Sequence, residues 1–213
     1  MAEAKALYEA GRYAEAEAEA RTASRSRPRD DVYGAVALNI AAIATGVQGR
    51  HTEALATYDE ALPVFGRIFG ADHWLTLKLR SDRAQQMTSP GRHAGCEAEC
   101  AAVTRAAVRG TGRRWHAWQR ARNGLVFALI AQGRHQEAEA LAREALAAHG
   151  ERDPMSLVLR LGPARSLNGQ ARHEDALTEA RGAEKLYRSL PDHQRLPETG
   201  AVELAFAVDG TRP

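Results

Sequence analysis

The sequence predicts an all-α fold of helical hairpins stacked in series, and three observations carry that prediction. The chain repeats itself at a period of roughly 40 residues, small side chains recur at fixed places within each copy, and no alternating apolar and polar run bounded by hairpin turn pairs argues for strands. The segments GRYAEAEAEARTA, GRHTEALATYDEAL, GRHAGCEAECAAVT, GRHQEAEALAREAL and ARHEDALTEARGAE begin at Gly11, Gly49, Gly91, Gly133 and Ala171, so the spacing varies by little more than one helical turn.

Each copy reads as the second helix of a hairpin. An acid holds the fifth place (Glu15, Glu53, Glu137, Asp175; Gly95 is the exception), where negative charge suits a helix start. The sixth place is small: Ala16, Ala54, Cys96, Ala138 and Ala176. Two helical turns further on lie Ala23, Ala61, Val103, Ala145 and Ala183, on nearly the same stripe, where two helices can approach closely. The intervening stretches, such as WQRARNGLVFALIAQ and MSLVLRLGPARSLNGQ, space leucine and alanine by three and four and read as first helices. One hairpin alone cannot bury its apolar face, so the units must stack.

The amino-terminal hairpin begins inside its first helix, which leaves an apolar edge expected to pair two copies of the chain through residues 1–24. After residue 190 the segment PDHQRLPETG should break the helical pattern, and AVELAFAV follows as a cap or tail. The organisation read here is a repeat array over 1–190, in four to five units, and a terminal segment over 191–213.

Composition narrows function. Apolar residues make up 44% of the 213, charged residues 26% and aromatics 6%, with net charge +2 and a positive side that is arginine apart from Lys5, Lys78 and Lys185. No run approaches the ~20 apolar residues of a membrane helix, and the amino terminus lacks a signal-peptide core, so a cytoplasmic location is expected. No nucleophile motif, phosphate-binding glycine loop or paired-carboxylate pattern is present, so an enzyme is not expected. No cofactor is implied.

Spaced glycine, tyrosine or histidine, and alanine, as in Gly11-Tyr13-Ala16 and Gly49-His51-Ala54, resemble the second half of a tetratricopeptide repeat. The longer steps from Gly49 to Gly91 and on to Gly133, with the connector FGADHWLTLKLR, echoed by GERDPMSLVLR, resemble the kinesin-light-chain-like variety found in bacterial regulators, of actinobacterial type. The resemblance implies a right-handed superhelix of stacked antiparallel helix pairs whose first helices line a concave groove. Trp74 stands where that family has proline, and Arg83 takes a normally apolar place, so the first helix around SDRAQQMTSPGR is expected to be short.

Aligned by the glycine markers, the first helices carry a basic column: Leu38, Arg80, Arg122 and Arg160 at one place and Val36, Lys78, Arg120 and Val158 at another, followed by Asn39, Ser81, Asn123 and Leu161. The resemblance places partner contacts at Asn39, Lys78, Arg80, Arg120, Arg122, Asn123 and Arg160. Arginine forks suit carboxylates or backbone carbonyls, so the expected partner is a protein or peptide, one with acidic residues; the same arginines also suit bridges between neighbouring helices, and both readings stand. A signal-responsive module binding a small ligand or peptide is the alternative function.

Three other clusters read as packing. His93, Cys96 and Cys100 lie at i, i+3 and i+7, a set zinc or copper could use, but the cysteines occupy columns that are alanine or tyrosine elsewhere and lack a fourth ligand. His51, His93, His135 and His173 recur one per unit, too far apart to share a metal. Trp115, His116 and Trp118 mix with arginines, yet with a net charge of +2 the chain as a whole is not basic enough to make nucleic acid an expected partner.

Overall fold

The structure is a computed structural model that describes residues 2–88, 91–107, 113–147 and 154–189, with side chains described throughout except at 113–116 and 154–159. Among the described residues there are ten α-helices and no strand: α1 Ala2–Glu9, α2 Tyr13–Arg25, α3 Val32–Val47, α4 His51–Phe69, α5 Trp74–Gln85, α6 His93–Ala107, α7 Arg113–Ala131, α8 His135–Ala147, α9 Pro154–Gly169 and α10 His173–Ser189. None of the helices is long and apolar enough to cross a membrane, over the described residues. The expected terminal segment at 191–213 lies outside the described residues, as do the side chains of Trp115, His116 and Val158. The chain falls into two compact units, Met1–Ala121 and Arg122–Pro213.

The repeated turn explains the glycine markers. At Gly11, Gly49, Gly91 and Gly133 φ is between +74° and +79°, the left-handed region, and Ala171 takes the same place at φ +61°. The next residue, always arginine, closes the preceding helix: the amide of Arg50 donates to the carbonyl of Thr45, and those of Arg12, Arg92, Arg134 and Arg172 donate to Leu7, Met87, Leu129 and Leu167. Its own carbonyl then accepts the first bond of the next helix, as in Ala54 to Arg50. One residue therefore ends one helix and starts another, which makes the hairpin tight. The acid at the fifth place has a second purpose besides the helix dipole: Arg50 pairs with Glu53 at 3.0 Å, Arg134 with Glu137 and Arg172 with Asp175 at 2.7 Å, and Arg12 with Glu15.

The small columns are the seams. Ala16, Ala54, Cys96, Ala138 and Ala176 are all essentially inaccessible, as are Ala61, Val103, Ala145 and Ala183, whereas Ala23 is half-buried near the end of α2. In the second unit a Cβ on Gly162 of α9 would stand 3.0 Å from both Ala142 and Val126, so only glycine lets these helices come together without displacement. Larger side chains fill the wider spaces: Tyr58, Val64, Phe65 and Leu79 form one core cluster of the first unit, and Leu77, Val103 and Trp118 another.

Successive hairpins are joined along their turns. Glu17 of α2 receives Arg21 at 3.1 Å, Gln48 at 3.2 Å and Arg50 from the next turn, and Glu139 of α8 receives Arg143 at 2.9 Å, Gln170 at 2.8 Å and Arg172 at 3.3 Å. Burial pushes both carboxyls up, but the hydrogen bonds and guanidinium charges outweigh it and hold them below the usual glutamate range. As the sequence suggested, α5 is short, 12 residues against 16 for α3 and α9. It starts at Trp74, and Arg83 sits in its apolar place by pairing with Asp59 of α4 at 2.7 Å.

Candidate functional site

The first unit brings Lys78 and Arg120 to a single carboxylate. Asp82 is 2% exposed; it accepts from Lys78 Nζ at 2.6 Å, one turn back on α5, and from Arg120 Nε at 2.8 Å, across on α7. The charge of Asp82 raises the Arg120 guanidinium further above its ordinary range, against the opposing effect of burial. Two cations face one buried anion, which leaves one net positive charge with both basic groups about a third exposed. Tyr58 of α4 feels the same cluster: burial and then the charge of Asp82 push its hydroxyl well above the ordinary tyrosine value, and the buried hydroxyl has no hydrogen-bond partner among the described residues. Asn39 on α3 likewise keeps a buried Oδ1 without a partner among them.

The neighbouring column behaves differently. Arg80 forks onto Glu99 of α6, with Nε at 2.7 Å and Nη2 at 3.3 Å, and Arg122 in the second unit forks onto Glu144 of α8 at 3.1 and 2.8 Å while reaching the Leu141 carbonyl at 3.4 Å. Both arginines clamp the two helices of their own hairpin. Their hydrogen bonds raise Arg80 and lower Glu144 from the ordinary values. Asn123, next along α7, is buried. Arg160 on α9 holds no acid among the described residues: its Nε is buried without a partner there, and the place in α10 that corresponds to Glu144 of α8 is taken by Gly182. A Cβ at Gly182 would meet Arg160 Nη1 at 3.7 Å, so the guanidinium lies beside a gap where the carboxylate would be.

Asp82 is the residue the sequence reading passed over. It belongs to no repeat column, and the only trace in the sequence is its position four after Lys78, a helical ion-pair spacing.

The remaining candidates are dispersed. Cys96 and Cys100 are inaccessible with sulfurs 3.9 Å apart, and the hydrogen bond to Cys96, then burial, hold the Cys100 thiol well above its ordinary range. Among the described residues no three metal-ligating side chains converge. His51 and His173 bond to Gln86 and Asn168 at 2.8 Å, while the His135 ring lies over the Gly169 backbone. Trp118 packs against Leu77 and Val103.

The tetratricopeptide repeat family profile matches residues 35–75 and 118–151. No curated protein matches the chain. Among solved structures, the crystal structure of nearly identical TPR-like repeats from a Podosopora anserina protein described as a kinesin light chain superposes with a TM-score of 0.67 at 15% identity, covering 86% of this chain and 90% of that one. That likeness is one of fold. With the hairpin period, the column of left-handed turns and the two matched segments agreeing, the chain folds as tetratricopeptide-type helix pairs and carries tetratricopeptide repeats at residues 35–75 and 118–151.

Proposed function

We propose that the chain is a protein–protein interaction scaffold whose first helices hold a peptide or protein segment bearing acidic residues. Tetratricopeptide repeats in general mediate contacts between proteins, and the observation that supports a site here is the partly exposed pair of cations on one buried carboxylate, Lys78 and Arg120 on Asp82. In the first unit Asn39, Lys78, Arg80 and Arg120 contribute, and in the second Arg122, Asn123 and Arg160. Counted with their partners Asp82, Glu99 and Glu144, each set keeps one positive charge in excess. Arg80 and Arg122 act chiefly as helix clamps, so the surplus lies at Lys78/Arg120 and at Arg160.

The test is a partner isolated from the native host on the intact chain, then measured against Lys78→Gln, which keeps a hydrogen bond to Asp82. Affinity should fall roughly tenfold and lose much of its salt dependence, mainly through slower association. An unchanged affinity in a variant of unchanged helicity defeats the assignment.

A further inference from the structure

The end of α2 and the connector from it to α3 carry Arg25, Arg27 and Arg29 at alternate positions. With α3 and α4 these arginines line a cleft of about 590 Å³ that has Pro28, Ala35 and Leu38 as its apolar surface and Glu60 as its one acid.

The repeat explains why the cleft is open. Leu38 and Glu60 hold the places in α3 and α4 that Arg122 and Glu144 hold in α7 and α8, two repeats later in both cases. There the guanidinium fills the space and grips the carboxylate. In α3 and α4 a leucine replaces the arginine and the space stays open. Among the described residues Glu60 makes no ion pair, although three arginines share its cavity.

The arginines themselves are undercommitted. Among the described residues Arg29 makes no ion pair, Arg25 bonds only to the Arg21 carbonyl at 3.3 Å, and Arg27 reaches Asp31 at a long 3.4 Å while its guanidinium lies 5.3 Å over the ring of Tyr33, which is 56% exposed. Nearby Arg21, Arg50 and Arg67 all hold carboxylates. Counted against Glu60 and the Asp31 that Arg27 reaches, the three cations leave one positive charge, a match for an anion. Arginine forks suit the three oxygens of a phosphoryl group, and the volume falls within the ~300–1,000 Å³ of small-molecule sites, far larger than the anion alone.

The geometry points to a binding site for a phosphate monoester with an apolar or aromatic body: the phosphoryl group meets Arg25, Arg27 and Arg29, and the body lies on Leu38 and Ala35. Such a group comes from a free small molecule or from a phosphorylated side chain. The lining of the cleft includes none of Lys78, Arg120 and Arg160, so this site and the scaffold reading can fail independently.

Calorimetric titration of the full chain with phenyl phosphate tests it, with benzoate and inorganic phosphate as comparators and a phosphotyrosine peptide beside its unphosphorylated form. Phenyl phosphate should saturate and exceed both comparators at least roughly tenfold, and binding should weaken as pH falls through about 6, where the dianion takes up a proton. Leu38→Arg should rebuild the Arg122–Glu144 arrangement with Glu60 and abolish binding without loss of helicity. Arg25→Gln with Arg29→Gln, both exposed at the end of α2 and in the connector after it, should weaken binding at least roughly tenfold and serves if Leu38→Arg does not fold. A phosphopeptide tighter than phenyl phosphate identifies a phosphorylated partner as the source; a weaker one identifies a small molecule. No saturation by ~10 mM phenyl phosphate, equal binding of benzoate, or full affinity in the arginine double variant overturns the proposal.

Discussion

Gly182 sits in α10 beside the guanidinium of Arg160, which holds no acid among the described residues, and filling that gap with glutamate should stabilise the protein. Gly182 stands as far along the chain from Arg160 as Glu144 does from Arg122, whose fork is formed, so a glutamate at 182 points where the guanidinium can take it. A Cβ at 182 meets only Arg160 Nη1, at an ordinary 3.7 Å, so the change carries no packing cost. Replacing glycine within a helix contributes about 0.6 kcal/mol. The ion pair adds about 0.5–1 kcal/mol, discounted because Arg160 is only half-buried. Together these raise Tm by about 2–6 °C in a chain of this size. Thermal melts of Gly182→Glu and Gly182→Gln, in the natural background and with Arg160→Met, separate the two contributions, since glutamine has the helix preference without the charge. Glutamate should exceed glutamine only when Arg160 is present. Equal melting of the two variants in the natural background would refute the vacant-partner argument.

Four further outcomes are expected. Ala171→Gly should stabilise by about 1 kcal/mol in a denaturant titration, because alanine holds the left-handed turn that the other four copies give to glycine. Asp82→Ala should cost about 2–3 kcal/mol, below the full value for a buried pair because Lys78 and Arg120 are each about a third exposed; adding Lys78→Met should recover part of the loss. Stability should hold above the ordinary glutamate value of about 4.3 and fall as pH drops below it, because Glu17 and Glu139 bind protons less readily folded than unfolded; Glu17→Gln with Glu139→Gln should flatten that acid limb of a pH series. Ala138→Trp, in a column with no free space, should destabilise by about 1–3 kcal/mol or more, and unchanged melting would remove Ala138 from the seam.

The hairpins were legible because their signals are local and repeat. A left-handed turn asks for glycine in each copy, and a close helix seam asks for alanine or cysteine, so Gly49 and Ala54 align with Gly133 and Ala138 without knowledge of the fold. The basic column was visible for the same reason, but its partners were not. Arg80 takes Glu99 and Arg122 takes Glu144, at unequal separations along the chain, so the acids share no column and self-alignment misses them. Arg83 was visible as a departure, but what makes it and Asp82 fit was hidden more deeply. Each departs from the repeat, and its fitness in a buried or apolar place depends on a residue from another helix, Arg120 for one and Asp59 for the other.

The joint at Glu17 and its counterpart at Glu139 bears on how such a chain can lengthen. Each joint has a socket, the glutamate six places after the turn marker, and a plug, the glutamine before and the arginine after the next marker. A stretch copied from one marker to the next inherits one of each, so an in-frame tandem duplication in the gene would deliver a unit already able to fasten to both neighbours. Leu55 occupies the socket place of the second copy, so a duplicate of that unit would arrive without this fastener and would need a new one before it could spread.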